Sequence, residues 1–182
     1  MSHRAGPVSN PGPEHLDKDT EMLTRAFDGD PLMEHLFPGN SVESRRALMR
    51  LACRMRLELS WPLKGCWDDK RICGATGISI ERDPPWPNQL AGHYENLKNQ
   101  IGPDGTDRLE NYSKIVEHHR PHEPNIYIGV IGVEPEKQEL GFGRALLETV
   151  HQFSYDHPMS TGYTSIMKTP GTSTFMSIWV IE

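Results

Sequence analysis

Apolar and polar positions along this chain follow two periods, and the switches between them mark its elements. Met22, Leu23, Ala26 and Phe27 fall at helical spacing, and a turn follows at Phe37-Pro38-Gly39. Asn40-Ser41-Val42-Glu43 reads as a capping box with Asn40 as N-cap. Leu48, Leu51, Ala52 and Met55 give the next helix its apolar stripe, and Trp61-Pro62 ends it. The period then falls to two. Strands at Leu63–Trp67 and Ile72–Ile80, joined by a turn at Asp68-Asp69-Lys70, read as a hairpin with Ile72, Gly74, Thr76, Ile78 and Ile80 on one face. Asp83-Pro84-Pro85-Trp86-Pro87 breaks the pattern. Leu90, Tyr94, Leu97 and Ile101 predict an amphipathic helix, Gly102-Pro103-Asp104-Gly105 a turn, and Leu109, Tyr112, Ile115 and Val116 another helix.

The most informative stretch follows. Ile126–Val133 is apolar nearly throughout, as a central strand covered on both faces should be. Phe142, Leu146, Val150 and Phe153 set one face of a helix on the sheet. Between them stands Gln138-Glu139-Leu140-Gly141-Phe142-Gly143. A strand, a glycine-bearing turn and a helix N-terminus present free N–H groups and the positive end of a helix dipole, which suits a phosphate. A Gly-x-Gly pair also serves where a helix packs closely on a strand. The third glycine of a dinucleotide fingerprint is missing, and no Gly-Lys-Ser/Thr follows as in a P-loop.

Ile128 to Gln138, the Gln-x-x-Gly-x-Gly and Arg144-Ala145-Leu146-Leu147-Glu148 closely resemble the acetyl-coenzyme-A motif of the GNAT superfamily of N-acetyltransferases, strongly from about Tyr127 to Thr149. Leu23 to Phe27 and Asp30-Pro31 to Leu36-Phe37-Pro38 are similar to that family's first helix and the start of its second. The resemblance implies an α/β (α+β) fold: a mixed central sheet flanked by helices, with C-terminal strands missing or altered. It implies acetyl-CoA as cosubstrate and an amine of a small molecule or peptide as acceptor. The backbone of Ile131, Gly132 and Val133 would pair with the pantetheine arm. The amides of Gln138, Glu139, Leu140, Gly141, Phe142, Gly143 and Arg144 would hold the pyrophosphate. The helical insert before Ile126 would border the acceptor pocket. The family's acid, a tyrosine in a Phe-Tyr helix, has no counterpart here, so the catalytic residues stay unassigned. Glu134 and Glu136 read as solvated loop carboxylates. Glu139 beside a pyrophosphate is repulsive.

Composition narrows the classes. A formal charge of −6 over 182 residues, with no basic block, argues against nucleic acid. No apolar run spans a bilayer and no signal-peptide core appears, so the expectation is a cytoplasmic protein without a membrane partner. Oligomeric state is not legible. Cys53, Cys66 and Cys73 read as buried thiols, although Cys66 and Cys73 flank the hairpin turn. His118, His119 and His122 with Glu117 and Glu123 fit no zinc spacing and read as a polar connector; no metal is expected. The expected organisation is a disordered tail at 1–13, an N-acetyltransferase domain at 14–162 with a poor or missing first strand, and an aberrant tail at 163–182.

That tail departs from the family. In place of a strand, an Asn-Pro-x-Asn turn, a Phe-Tyr helix and a last strand stands Tyr163 to Glu182, short on charge and without helical period. Reading each codon from the third base of one residue's codon and the first two of the next permits Asn-Pro-Arg-Asn-Val-Asn-Phe-Tyr-Glu-His-Leu-Gly-Tyr-Arg. Met167–Lys168 forces Glu and Trp179–Val180 forces Gly; Lys168–Thr169 allows only Asn or Asp. The expectation is an out-of-frame translation from about Tyr163, against coincidence from degenerate codons. Such a chain is an impaired enzyme or a non-catalytic acyl-CoA-binding remnant with one flank of its sheet exposed. A nucleotide-binding module using the same loop is a further alternative.

Overall fold

The computed structural model describes residues 7–39, 41–80, 84–158, 160–168 and 175–181. Its strands cross one sheet in chain order: β1 (Val8–Ser9), β2 (Leu63–Asp68), β3 (Arg71–Ser79), β4 (Ile126–Val133), β5 (Gly162–Lys168) and β6 (Phe175–Ile181). Only β4 and β5 run parallel. The helices are α1 (Leu16–Ala26), α2 (Pro31–Leu36), α3 (Val42–Glu58), α4 (Asn88–His119) and α5 (Phe142–Asp156). This is the mixed sheet flanked by helices that the resemblance implies. Residues 8–9 pair with Gly65 and Cys66, so the segment expected to be disordered holds a very short first strand.

Two apolar layers enclose the sheet. Met22, Leu23, Met33, Leu36, Met49, Cys53, Leu97 and Leu109 from the first four helices pack with Leu63, Ile72, Ala75 and Val130. On the other face α5 places Phe142 and Leu146 against Cys66 and Cys73, and Val150 against Ile78, Ile126 and Ile128. The three cysteines are free and buried; burial pushes the Cys66 thiol up to about 12.

Two bulges correct the expected strand face. Cys66 pairs with Gly74 but Trp67 with Ile72, which leaves Cys73 over. Gly77 pairs with Val130 but Ile78 with Ile128, which leaves Gly129 over. The extra Cys73 reverses the alternation along β3, so Ile72 faces the α1 side while Ile78 faces α5, and the extra Gly129 does the same along β4.

Helix ends and faces bring two more corrections. Asn40 lies outside the described residues, and Ser41 is the N-cap of α3, its Oγ accepting from the Ser44 amide at 3.2 Å. Glu43 meets the Ser41 hydroxyl at 3.3 Å rather than a backbone N–H. The side of α3 turned inward carries Arg45, Met49, Cys53 and Arg56; Leu48 and Leu51 pack at its flank. The break predicted between two helices at Gly102 is present: α4 is interrupted there, with Gly102 at the non-helical φ 71° and ψ 179°.

Strands are present at the C-terminal end, where they were expected to be missing or altered. β5 and β6 pair from Gly162↔Ile181 to Lys168↔Phe175, so the flank of β5 expected to be exposed is covered and β6 becomes the sheet edge.

Candidate functional site

The loop between β4 and α5 is built by backbone conformation. A 3-10 turn at Pro135–Lys137 leaves the strand, Glu139 takes φ 63°, and Gly141 closes the turn at φ 89°. That left-handed value favours glycine. Gly141 is the N-cap of α5, but no side chain caps the helix, and its first turn holds no acid. The amides of Phe142, Gly143 and Arg144 therefore stand among the orphan donors of the helix start. Gln138, Glu139, Leu140 and Gly141 are exposed. The Gln138 amide nitrogen reaches the Val133 carbonyl at 3.4 Å, and Arg144, itself exposed, pairs with Glu148 at 2.8 Å. A Cβ on Gly143 would meet Val133 at only 3.7 Å, an ordinary contact. Gly132 is different: its Cβ would press on Ala26 at 3.0 Å and Leu23 at 3.1 Å, so that glycine lets α1 lie close on the sheet.

Ion pairs pin the base of this loop. Glu134 is 3% exposed, against the expectation of a solvated carboxylate. Arg25 of α1 donates Nε to Glu134 Oε1 at 2.7 Å and Nη2 to Oε2 at 2.9 Å. Arg71 stands 3.4 Å from the same carboxylate. The Arg25 hydrogen bond holds Glu134 below the usual carboxylate range. Glu136 is exposed, as expected. Lys137 Nζ donates to Asp68 Oδ2 at 2.6 Å, which ties the 3-10 turn to the end of β2.

Beside the loop the sheet opens. β4 and β5 share only the pairs Ile126↔Tyr163 and Tyr127↔Thr164, and the Ser165 hydroxyl still donates to the Ile128 carbonyl at 3.2 Å. Beyond that point β4 keeps β3 down to Gly74↔Val133 but has no strand on its other edge among the described residues. Ile131, Gly132 and Val133 therefore lie on a free strand edge that leads to the loop. Such an edge accepts an extended ligand through main-chain hydrogen bonds.

Below the fork lies a polar cluster that sequence reading missed. Tyr127 and Tyr112 of α4 are hydrogen-bonded through their hydroxyls, and burial raises both. The Arg120 guanidinium lies 5.4 Å from the Tyr127 ring centroid. Arg56 of α3 completes the group, with Nη2 donating to Ser79 Oγ at 3.3 Å. The signal in sequence was faint: Arg56 follows Met49 and Cys53 at helical spacing, on a line that also begins with a charge, Arg45.

Neither a family model nor a curated protein matches the chain. Solved structures do. An acetyltransferase from Corynebacterium glutamicum described as histone acetyltransferase HPA2 and related superposes with a TM-score of 0.61 at 16% identity, over 91% of this chain and 78% of its own. An agmatine N-acetyltransferase gives 0.60 at 15%, over 90% and 76%. A GNAT family acetyltransferase from Brucella melitensis, solved with acetyl-CoA, gives 0.52 at 10%, over 97% and 88%. This chain has the GNAT fold. Within that fold, the forked strands and the uncapped α5 stand at adjoining positions. Among the described residues no helix is long and apolar enough to cross a membrane.

Proposed function

We propose that this chain binds an acyl-coenzyme A, with acetyl-CoA as cosubstrate, and that its fold is that of an N-acetyltransferase acting on an amine of a small molecule or peptide in the cytoplasm. The observation that carries the reading is the junction of a free β4 edge with an uncapped, glycine-led helix. A pyrophosphate suits the amides of Gln138 to Arg144, where dipole and orphan donors converge. A pantetheine arm suits Ile131, Gly132 and Val133, which offer backbone groups and no bulk on the Gly132 face. Held there, a thioester and an amine gain most of their rate from alignment. The pinned Glu134 keeps the strand end and the loop in register for that purpose.

Glu139 works against the affinity. Its carboxylate is exposed at the loop, so water and salt screen its repulsion of a pyrophosphate, and the binding falls to the backbone.

A second reading is favoured by the tail: a non-catalytic acyl-CoA-binding remnant, in which a frame change has replaced the helix that would carry the acid. The cofactor half of the site stands wholly before residue 163, so both readings predict binding and only one predicts turnover. Calorimetry with coenzyme A and with ATP tests the first half; tighter binding of ATP would favour a nucleotide module instead. Acetyl-CoA turnover over a broad amine panel, on this chain and on a version with the shifted frame restored, tests the second. Turnover in the restored version alone supports the remnant. Equal turnover in both ends it, as does coding DNA that excludes Asn-Pro-x-Asn-x-x-Phe-Tyr.

A further inference from the structure

Arg56 is a buried cation without a counter-charge. It is 2% exposed, and among the described residues no carboxylate pairs with it. Nη1 donates to the Ala52 carbonyl at 2.9 Å and Nη2 to Ser79 Oγ, both neutral acceptors, while Nε has no partner. The ionisable groups acting on it are the Cys53 thiol and the Tyr127 hydroxyl, which burial keeps protonated at neutral pH. Leaving a guanidinium buried and unpaired costs several kcal/mol.

The sheet is shaped around this side chain. Gly77 of β3 lies under it, where a Cβ would stand 2.8 Å from Nε. Gly129 of β4 lies beside it, where any Cβ would collide with Nη2. Gly129 is also the bulge residue, and it is exposed. It sits just past Tyr127, where β4 has parted from β5. Solvent therefore reaches the strand immediately beside a buried, under-bonded guanidinium, and at the mouth of the fork.

We propose that Arg56 is the seat of a carboxylate on the acceptor, so that the second substrate is an amine that also carries a carboxylate, drawn in past Gly129. The word acceptor rests on the acyltransferase reading; the carboxylate seat rests on the geometry alone. A planar guanidinium whose Nε donor is unused, and whose other donors meet only neutral acceptors, matches a carboxylate fork. A carboxylate monoanion balances the Arg56 charge one for one.

Direct binding tests this. The full chain is titrated calorimetrically at low salt with glycine, β-alanine and γ-aminobutyrate, with their amides as matched amines lacking the acid, and with phosphoethanolamine, each with and without coenzyme A. The expected result is at least tenfold tighter binding of one or more acids than of its amide. In R56M that preference disappears, coenzyme A affinity stays within twofold, and the melting temperature holds or rises, because a buried unpaired charge has gone. Equal binding of acids and amides, undetectable binding of both included, overturns the proposal. So does tighter binding of phosphoethanolamine, or an R56M that melts lower and keeps the preference. If coenzyme A fails to bind, the acyltransferase reading falls while the acid–amide comparison still decides Arg56.

Discussion

Two regions of this molecule bury a carboxylate, and they do opposite things with it. At the end of β4, Glu134 meets Arg25 through two hydrogen bonds and Arg71 beside them. Where α1 packs on α3, Asp19 is fully buried and neither of its oxygens has a partner. Burial alone lifts the Asp19 carboxyl to about 7, while the arginines hold Glu134 low. The first arrangement is architecture: it fixes a strand end beside the loop. The second is a cost that the surrounding core must offset. Arg45, Arg46 and Arg50 do not relieve it, because they reach outward to Asp28, Glu21 and Asp17.

The largest test of the contrast is D19N. Asp19 has a folded value above its unfolded 3.8, so its contribution is complete below pH 3.8 and drains away as pH rises through about 7. Removing the charge should raise stability at pH 8 by about 4 kcal/mol, at about 1.4 kcal/mol per pKa unit, and change little at pH 4. Thermal melts of both proteins across that range check it. A wild-type melt that is flat from pH 4 to 8 would remove the distinction between the two carboxylates.

E134Q should show the mirror image. The folded value lies below the ordinary one, so the stabilisation is present above the usual carboxylate range and is lost as pH falls. Breaking a buried pair costs roughly 3–5 kcal/mol; here Arg25 is half-exposed and Arg71 more so, and water relieves both, so about 2 kcal/mol is expected at pH 7. Urea unfolding at pH 7 and pH 3.5 should find the full loss at the first and a smaller one at the second.

G141A is the control without charge. Its left-handed φ should cost about 1 kcal/mol, equally at every pH, with weaker coenzyme A binding because the orphan amides of α5 move. A pH-dependent loss would mean that the loop is tied to Glu134 more tightly than the geometry gives.

The same contrast explains what sequence could disclose. The β4–loop–α5 unit was legible because its parts are contiguous: strand, glycine turn and helix lie within Ile126–Asp156. Glu134 was misread as solvated because its main partner, Arg25, lies 109 residues away. Arg56 needed three elements to become visible, α3 to carry it and Gly77 and Gly129 to clear its place. The face of β3 was misjudged because a strict alternation cannot disclose the bulge at Cys73. Asp19 gave no signal in sequence, because only the packing of α1 on α3 buries it.

The β5–β6 hairpin has one more consequence. Its register is unbroken over the whole of both strands, and a ladder of that kind is written in amide and carbonyl groups that every residue except proline supplies in full. Strand completion is therefore nearly indifferent to which message is translated, provided that it is rich in β-branched residues. The closing hairpin is thus specified by backbone pairing more than by side-chain identity, and strand-forming residues there can be exchanged without opening the sheet.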